Sequence, residues 1–173
     1  PDKRYGYAYL QATRNALERI NTQFLDAPNA SLEAIPLSQG PRGSDTAIIL
    51  HLFYTDLWDE FCDYLKNIGD DFDLFISVPK DANVQEDIFF KEFPRAHILR
   101  FENRGRDVLP FLNIYREIAG RGYRYLCKIH SKKSLHRKDG GLWRINILDK
   151  LLGTPQQIAK VKTLFDPDPT IGI

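Results

Sequence analysis

The sequence predicts an α/β fold: a mostly parallel sheet with helices on both faces, preceded by an N-terminal helix. Three observations carry this. Short apolar segments rich in β-branched and aromatic residues recur at 46–54, 72–78, 96–101 and 123–130. Helical patterns or helix start signals separate them, and strand–helix–strand alternation implies parallel strands joined by right-handed crossovers. The first segment, TAIILHLFY, is continuously apolar instead of alternating, as a strand covered on both faces should be.

Composition sets the class. At 173 residues with 43% hydrophobic side chains, the chain can build one domain with a real core. A formal net charge of +1 argues against wrapping nucleic acid. The charge is unevenly spread, however. Residues 56–92 hold eleven acids against Lys66, Lys80 and Lys91. Residues 121–138 hold no acid but carry Arg121, Arg124, Lys128, Lys132, Lys133, Arg137 and Lys138, with His130 and His136. Such polarity suits a site for an anionic ligand, although a basic run by itself is more often a solvated face. Cys62 and Cys127 sit among apolar neighbours, which points to a reducing, cytoplasmic setting and away from a disulfide or zinc framework. No apolar run approaches the roughly 20 residues of a membrane span. Methionine is absent and residues 169–173 read like the opening of a strand, so a fragment truncated at its C-terminus is expected.

The elements follow in order. Tyr9, Leu10, Ala16, Leu17, Ile20 and Phe24 predict the N-terminal helix, and Pro28, Pro36, Gly40, Pro41 and Gly43 mark a linker. Residues 1–45 are therefore read as helix and linker, and 46–173 as the α/β domain. After the first strand, Thr55 can cap a helix over 56–68. Its first turn holds Asp56, Asp59 and Glu60, its stripe holds Trp58, Phe61 and Leu65, and Gly69 ends it. A strand at 72–78, a helix at 84–93 and a strand at 96–101 come next. Asp107 is a plausible N-cap for a helix that runs through Ala119, with Pro110 tolerated in its first turn. Along 123–130, alternation places Leu126, Lys128 and His130 on one face and Tyr125, Cys127 and Ile129 on the other. Residues 131–141 read as a loop and 142–152 as a helix. Thr154, Pro155 and Gln157 start a last helix that ends near Phe165.

The chain has no GxGxxG after its first strand, no GxxxxGK[ST], no HExxH and no GxSxG elbow. His51 reads as a hydrogen-bonded core residue and His97 as a surface or strand-end residue; no metal site is expected. Two turns remain, each after a strand and expected at the ends of adjacent strands, where ligands of open α/β sheets bind. The first carries Arg104, Gly105, Arg106 and Asp107; the second carries Lys128, His130, Ser131 and Lys132. Gly105 lets backbone approach a ligand, Arg106 offers a planar fork for phosphate, and the second turn supplies point charges for a diphosphate. For Asp107, a cap and a functional role both stand open. For Arg104 the alternative is simple exposure.

These segments resemble a known family. Asn-Arg-Gly-Arg-Asp at 103–107, Lys-Ile-His-Ser-Lys-Lys-Ser at 128–134, His-Arg-Lys-Asp-Gly at 136–140, Trp143-Arg144 and Leu-Leu-Gly at 151–153 are similar to the rhamnan synthesis protein F family of bacterial polysaccharide biosynthesis. His-Leu-Phe-Tyr at 51–54 with Leu57 and Trp58 fits too. The resemblance runs from Ala47 to the end, with 1–45 outside it. It implies a rhamnosyltransferase-like enzyme that builds rhamnan or lipopolysaccharide O-chain from a nucleotide-sugar donor and a glycan acceptor. It would work in the cytoplasm or at the inner face of the membrane, in peripheral association with membrane-bound machinery and without nucleic acid. The strand order resembles the nucleotide-binding half of a GT-A glycosyltransferase, in which acids after the fourth strand hold a metal. Here Lys128, His130 and Lys132 stand in that place, so cations are expected to replace the metal and no cofactor is expected. Asp107 and Asp139 are the candidate bases for the acceptor hydroxyl. The competing reading is a non-catalytic module that binds glycan or nucleotide. A weaker third reading is nucleic-acid binding with Tyr123 and Tyr125 as stacking groups.

Overall fold

The computed structural model describes residues 43–69, 71–133 and 140–167. The expected N-terminal helix, most of the linker, the residues Arg137, Lys138 and Asp139, and the expected terminal strand lie outside these. The described residues from 43 to 164 belong to one compact unit.

Four parallel strands form one sheet: β1 (Thr46–His51), β2 (Asp73–Pro79), β3 (His97–Phe101) and β4 (Tyr125–His130), in the spatial order β3-β2-β1-β4. The continuously apolar β1 is central, and all six of its residues are buried. Ile49 pairs with Phe75 on one side and Lys128 on the other, and His51 faces Ser77 and His130. Helices α1 (Trp58–Lys66), α2 (Asp87–Glu92), α3 (Val108–Ile118), α4 (Gly140–Leu152) and α5 (Pro155–Phe165) cover both faces.

The strand period divides the core in two. Ile48, Leu50, Leu74, Ile76, Val78 and Ile129 point toward α1, α2 and α4, where Trp58, Phe61, Leu65, Phe89, Leu148 and Leu152 meet them. Ala47, Ile49, Phe75 and Leu99 point the other way, against Ile114 and Ile118 of α3, with Phe111, Tyr123 and Leu126 at the margin. Leu126 and Cys127 thus fall on opposite faces, as alternation requires.

Local signals set the ends of these elements with mixed success. Thr154 Oγ1 accepts the Gln157 amide at 3.1 Å, the cap that the sequence announces. Gly69, at φ 78°, closes the turn after α1. Thr55 does not act as a side-chain cap: it opens a 3-10 turn at Thr55–Leu57, and α1 starts only at Trp58. His51 is the buried, hydrogen-bonded residue expected, with Nδ1 2.8 Å from Ser77 Oγ. His97 opens β3, half-buried and stacked on Phe75 with centroids 4.9 Å apart. Both cysteines are free, and burial pushes the Cys127 thiol up to about 11.

Candidate functional site

The turn after β3 is built from two left-handed residues in succession, Gly105 at φ 71° and Arg106 at φ 54°. Gly105 is required twice over. An L side chain is disfavoured at that φ, and a Cβ there would stand 2.5 Å from the Leu109 Cβ. The turn sends α3 back across the sheet, and the residue just before that helix is Asp107.

Asp107 is not a side-chain cap. Its backbone is helical (φ −80°, ψ −10°) and its carboxylate makes no capping hydrogen bond. Instead Oδ2 accepts a hydrogen bond from Lys128 Nζ and lies 3.6 Å from His130 Nδ1. This contact corrects a second expectation, that the two turns end adjacent strands. Strands β3 and β4 are the opposite edges of the sheet. The turns meet because the chain between them crosses the sheet, so residues 21 positions apart form one cluster.

Burial sets the protonation states. It pushes the Asp107 carboxyl up, but the Lys128 hydrogen bond and the charges of His130 and Lys128 outweigh it, and the group titrates below its ordinary value. Burial lowers His130, against Asp107 and with the help of Lys128 and Lys132, so at pH 7 it is a neutral imidazole. His51 falls to about 4, chiefly through burial. The cluster therefore holds one ion pair and two neutral imidazoles. His130, counted from sequence among the cations, stands beside Asp107 and is held below its ordinary pKa by burial.

The turn after β4 divides its side chains differently. Ser131 is buried; its amide donates to the His51 carbonyl at 2.9 Å, and its Oγ accepts the Tyr54 amide at 2.9 Å. It ties the ends of β4 and β1 together and does not project from the turn. Lys133 is held by Asp56 and lies 5.2 Å from the Tyr54 ring centroid. Arg144 of α4 clamps the loop: Nε and Nη2 grip Glu60 at 2.6 and 2.9 Å, and Nη1 donates to the Lys132 carbonyl at 2.9 Å. Part of the basic run is thereby spent on the acidic start of α1. Among the described residues no carboxylate pairs with Arg104, Arg106 or Lys132, and all three are exposed. Lys132 Nζ lies 5.8 Å from the Trp143 ring centroid.

A cleft of about 80 Å³ runs along the outer edge of β4, lined by Lys128, Ile129, His130, Lys132, Trp143, Arg144, Ile147 and Leu148. The α4 residues were not foreseen as site residues from the sequence, because a helix stripe does not show which strand it borders. Among the described residues no three His, Cys, Asp or Glu side chains converge as a metal site would require. Tyr123 donates to Asp73 at 2.7 Å, and Lys162 Nζ lies 5.0 Å from the Tyr125 ring centroid.

A parallel sheet covered by helices on both faces defines an α/β domain, and its polar groups gather at the carboxyl ends of the strands, where open α/β sheets hold their ligands. The chain belongs to the rhamnan synthesis protein F family, whose pattern it matches over residues 20–173. The match begins before Ala47, so part of the segment expected to lie outside the resemblance belongs to it. Two proteins called "Uncharacterized protein WxcX", from Xanthomonas campestris pv. campestris strains B100 and ATCC 33913, are each 35% identical over the whole chain. The chain spans 23% of their length. No solved structure matches it. The family is described by its part in rhamnan synthesis. No helix among the described residues is long and apolar enough to cross a membrane.

Proposed function

We propose that this domain binds the donor in a glycosyltransferase of bacterial surface polysaccharide synthesis, with a nucleoside-diphosphate sugar as donor and rhamnose as the favoured sugar. The observation that carries the reading is the meeting of Asp107, Lys128 and His130 from opposite edges of the sheet. Such convergence assembles a site from two turns that the sequence keeps apart. Arg104, Arg106 and Lys132 supply positive charge that no described carboxylate neutralises, and Gly105 keeps the backbone open to phosphate oxygens.

In this reading the acceptor hydroxyl oxygen attacks the anomeric carbon, and the bond from that carbon to the diphosphate breaks. The nucleoside diphosphate leaves with the electron pair. Lys128 turns from Asp107 to the leaving group as its charge develops, and His130 donates a hydrogen bond to it. Asp107, released and ionised, takes the acceptor's proton. Asp139 is the other candidate for that role, and it lies outside the described residues. The protein acts from the cytoplasmic side, against membrane-bound machinery.

Calorimetric titration with dTDP and dTDP-rhamnose tests the donor site. Saturable binding that weakens about tenfold in Lys132→Ala supports it. Binding to polymer alone favours the non-catalytic module, and binding to neither refutes both. Loss of transfer in EDTA with rescue by manganese would overturn the replacement of metal by cations.

A further inference from the structure

The chain has two tryptophans, and they have opposite fates. Trp58 is buried edge-on against Phe89 and Phe93. Trp143 is 49% exposed, on a different face of α4 from the buried Leu148 and Leu152. A large indole left at the rim of a concave surface is a common recognition group, since it gives much contact area for little ordering of its own.

The charge of the surrounding cleft narrows what that indole meets. Lys128 is paired with Asp107 and Arg144 with Glu60, which leaves Lys132 as the lining cation that no described carboxylate neutralises. The deep wall is apolar, made by Ile129, Ile147 and Leu148. An uncharged ligand with an apolar face and a polar rim finds both of its halves matched.

We propose that Trp143 is the stacking platform for a neutral pyranose ring of the acceptor glycan, seated in the cleft along β4 with its hydroxyls within reach of Lys132 and His130. A pyranose presents one face of C–H bonds to an aromatic ring while its hydroxyls point outward, and a 6-deoxyhexose adds a methyl group suited to the Ile147 wall. The assignment rests on the sugar-transfer reading above. It adds the acceptor's position, beside the donor cluster and on the opposite side of β4 from β1.

The test uses the whole protein and rhamnose di- and trisaccharides free of nucleotide. Saturable binding is expected, with a change in tryptophan emission that vanishes in Trp143→Phe, because Trp58 is shielded. Calorimetry should show affinity reduced about tenfold in Trp143→Ala, as truncating a central aromatic anchor does, and only modestly in Trp143→Phe. The urea midpoint should stay as in the wild type in both variants, and dTDP binding should stay so in Trp143→Phe, which keeps a ring beneath Lys132. The inference is overturned if the oligosaccharides do not bind, if they bind Trp143→Ala as well as wild type, or if saturation leaves emission unchanged. The dTDP titration separates the two readings. Intact dTDP binding without a glycan effect removes the platform and leaves the donor site. A Trp143-dependent glycan response without dTDP binding leaves a glycan-binding module.

Discussion

Replacing Gly105 by alanine probes the turn that brings the two halves of the site together. Two costs add. Holding an L residue at φ 71° costs about 1–2 kcal/mol. The new Cβ also meets Leu109 Cβ at 2.5 Å, well inside the roughly 3.5–4.0 Å of a normal carbon contact. No rotation of Leu109 moves its Cβ, so the turn itself must shift, at a further ~1–3 kcal/mol typical of overpacking. Gly69 provides the control. Its φ is 78°, but nothing lies within 4 Å of its Cβ position, so Gly69→Ala should cost only about 1–2 kcal/mol. Urea unfolding of the two variants, with unchanged slope, measures the difference. The shift should also carry Asp107 away from His130, and since Asp107 raises the His130 pKa, NMR titration should place that histidine lower still in Gly105→Ala. If Gly105→Ala is no more destabilising than Gly69→Ala, the packing argument for the turn fails.

Three other outcomes follow from the cluster and its clamp. His51 titrates at about 4 when folded and near 6.5 when unfolded, so stability is full above pH 6.5 and declines as pH falls toward 4. The loss reaches about 3 kcal/mol, and His51→Gln should flatten the pH dependence in urea melts at pH 7, 5.5 and 4. Asp107, lowered when folded, stabilises above the ordinary carboxyl pKa, and its contribution disappears as pH falls through the folded value. Asp107→Asn should thus be less stable than wild type at pH 7 by roughly 1–2 kcal/mol, with the gap closing below pH 4; a gap that persists in acid would contradict this. Arg144→Ala should cost about 2–3 kcal/mol, and Arg144→Lys should recover little, because one ammonium cannot grip both Glu60 oxygens and the Lys132 carbonyl. Full recovery in lysine, measured by thermal unfolding, would show that charge alone suffices.

The legible part of this protein was local. The unbroken apolar run of β1 announced a strand buried on both faces, and it is the centre of the sheet. The two-residue period of β4 separated Lys128 and His130 from Cys127 and Ile129 correctly, and Thr154 capped α5 as its neighbours required. Boundaries drifted where tertiary contacts competed: β1 leaves the sheet at His51, three residues before the apolar run ends, and Thr55 turns into a 3-10 segment. The same competition took Asp107 from its expected cap, since a partly buried carboxylate gains more from an ammonium than from an exposed amide.

Sequence by itself determined the class of fold, the two turns that carry the candidate site, and the family resemblance, because period, turn residues and short motifs are properties of neighbours along the chain. Only the tertiary structure decided which charges remain available. Lys133 was claimed by Asp56, Arg144 by Glu60 and Lys128 by Asp107, pairs separated by 77, 84 and 21 positions. It also lowered the His130 pKa and left Trp143 exposed, because burial and distant partners, which no local pattern encodes, control both titration and exposure.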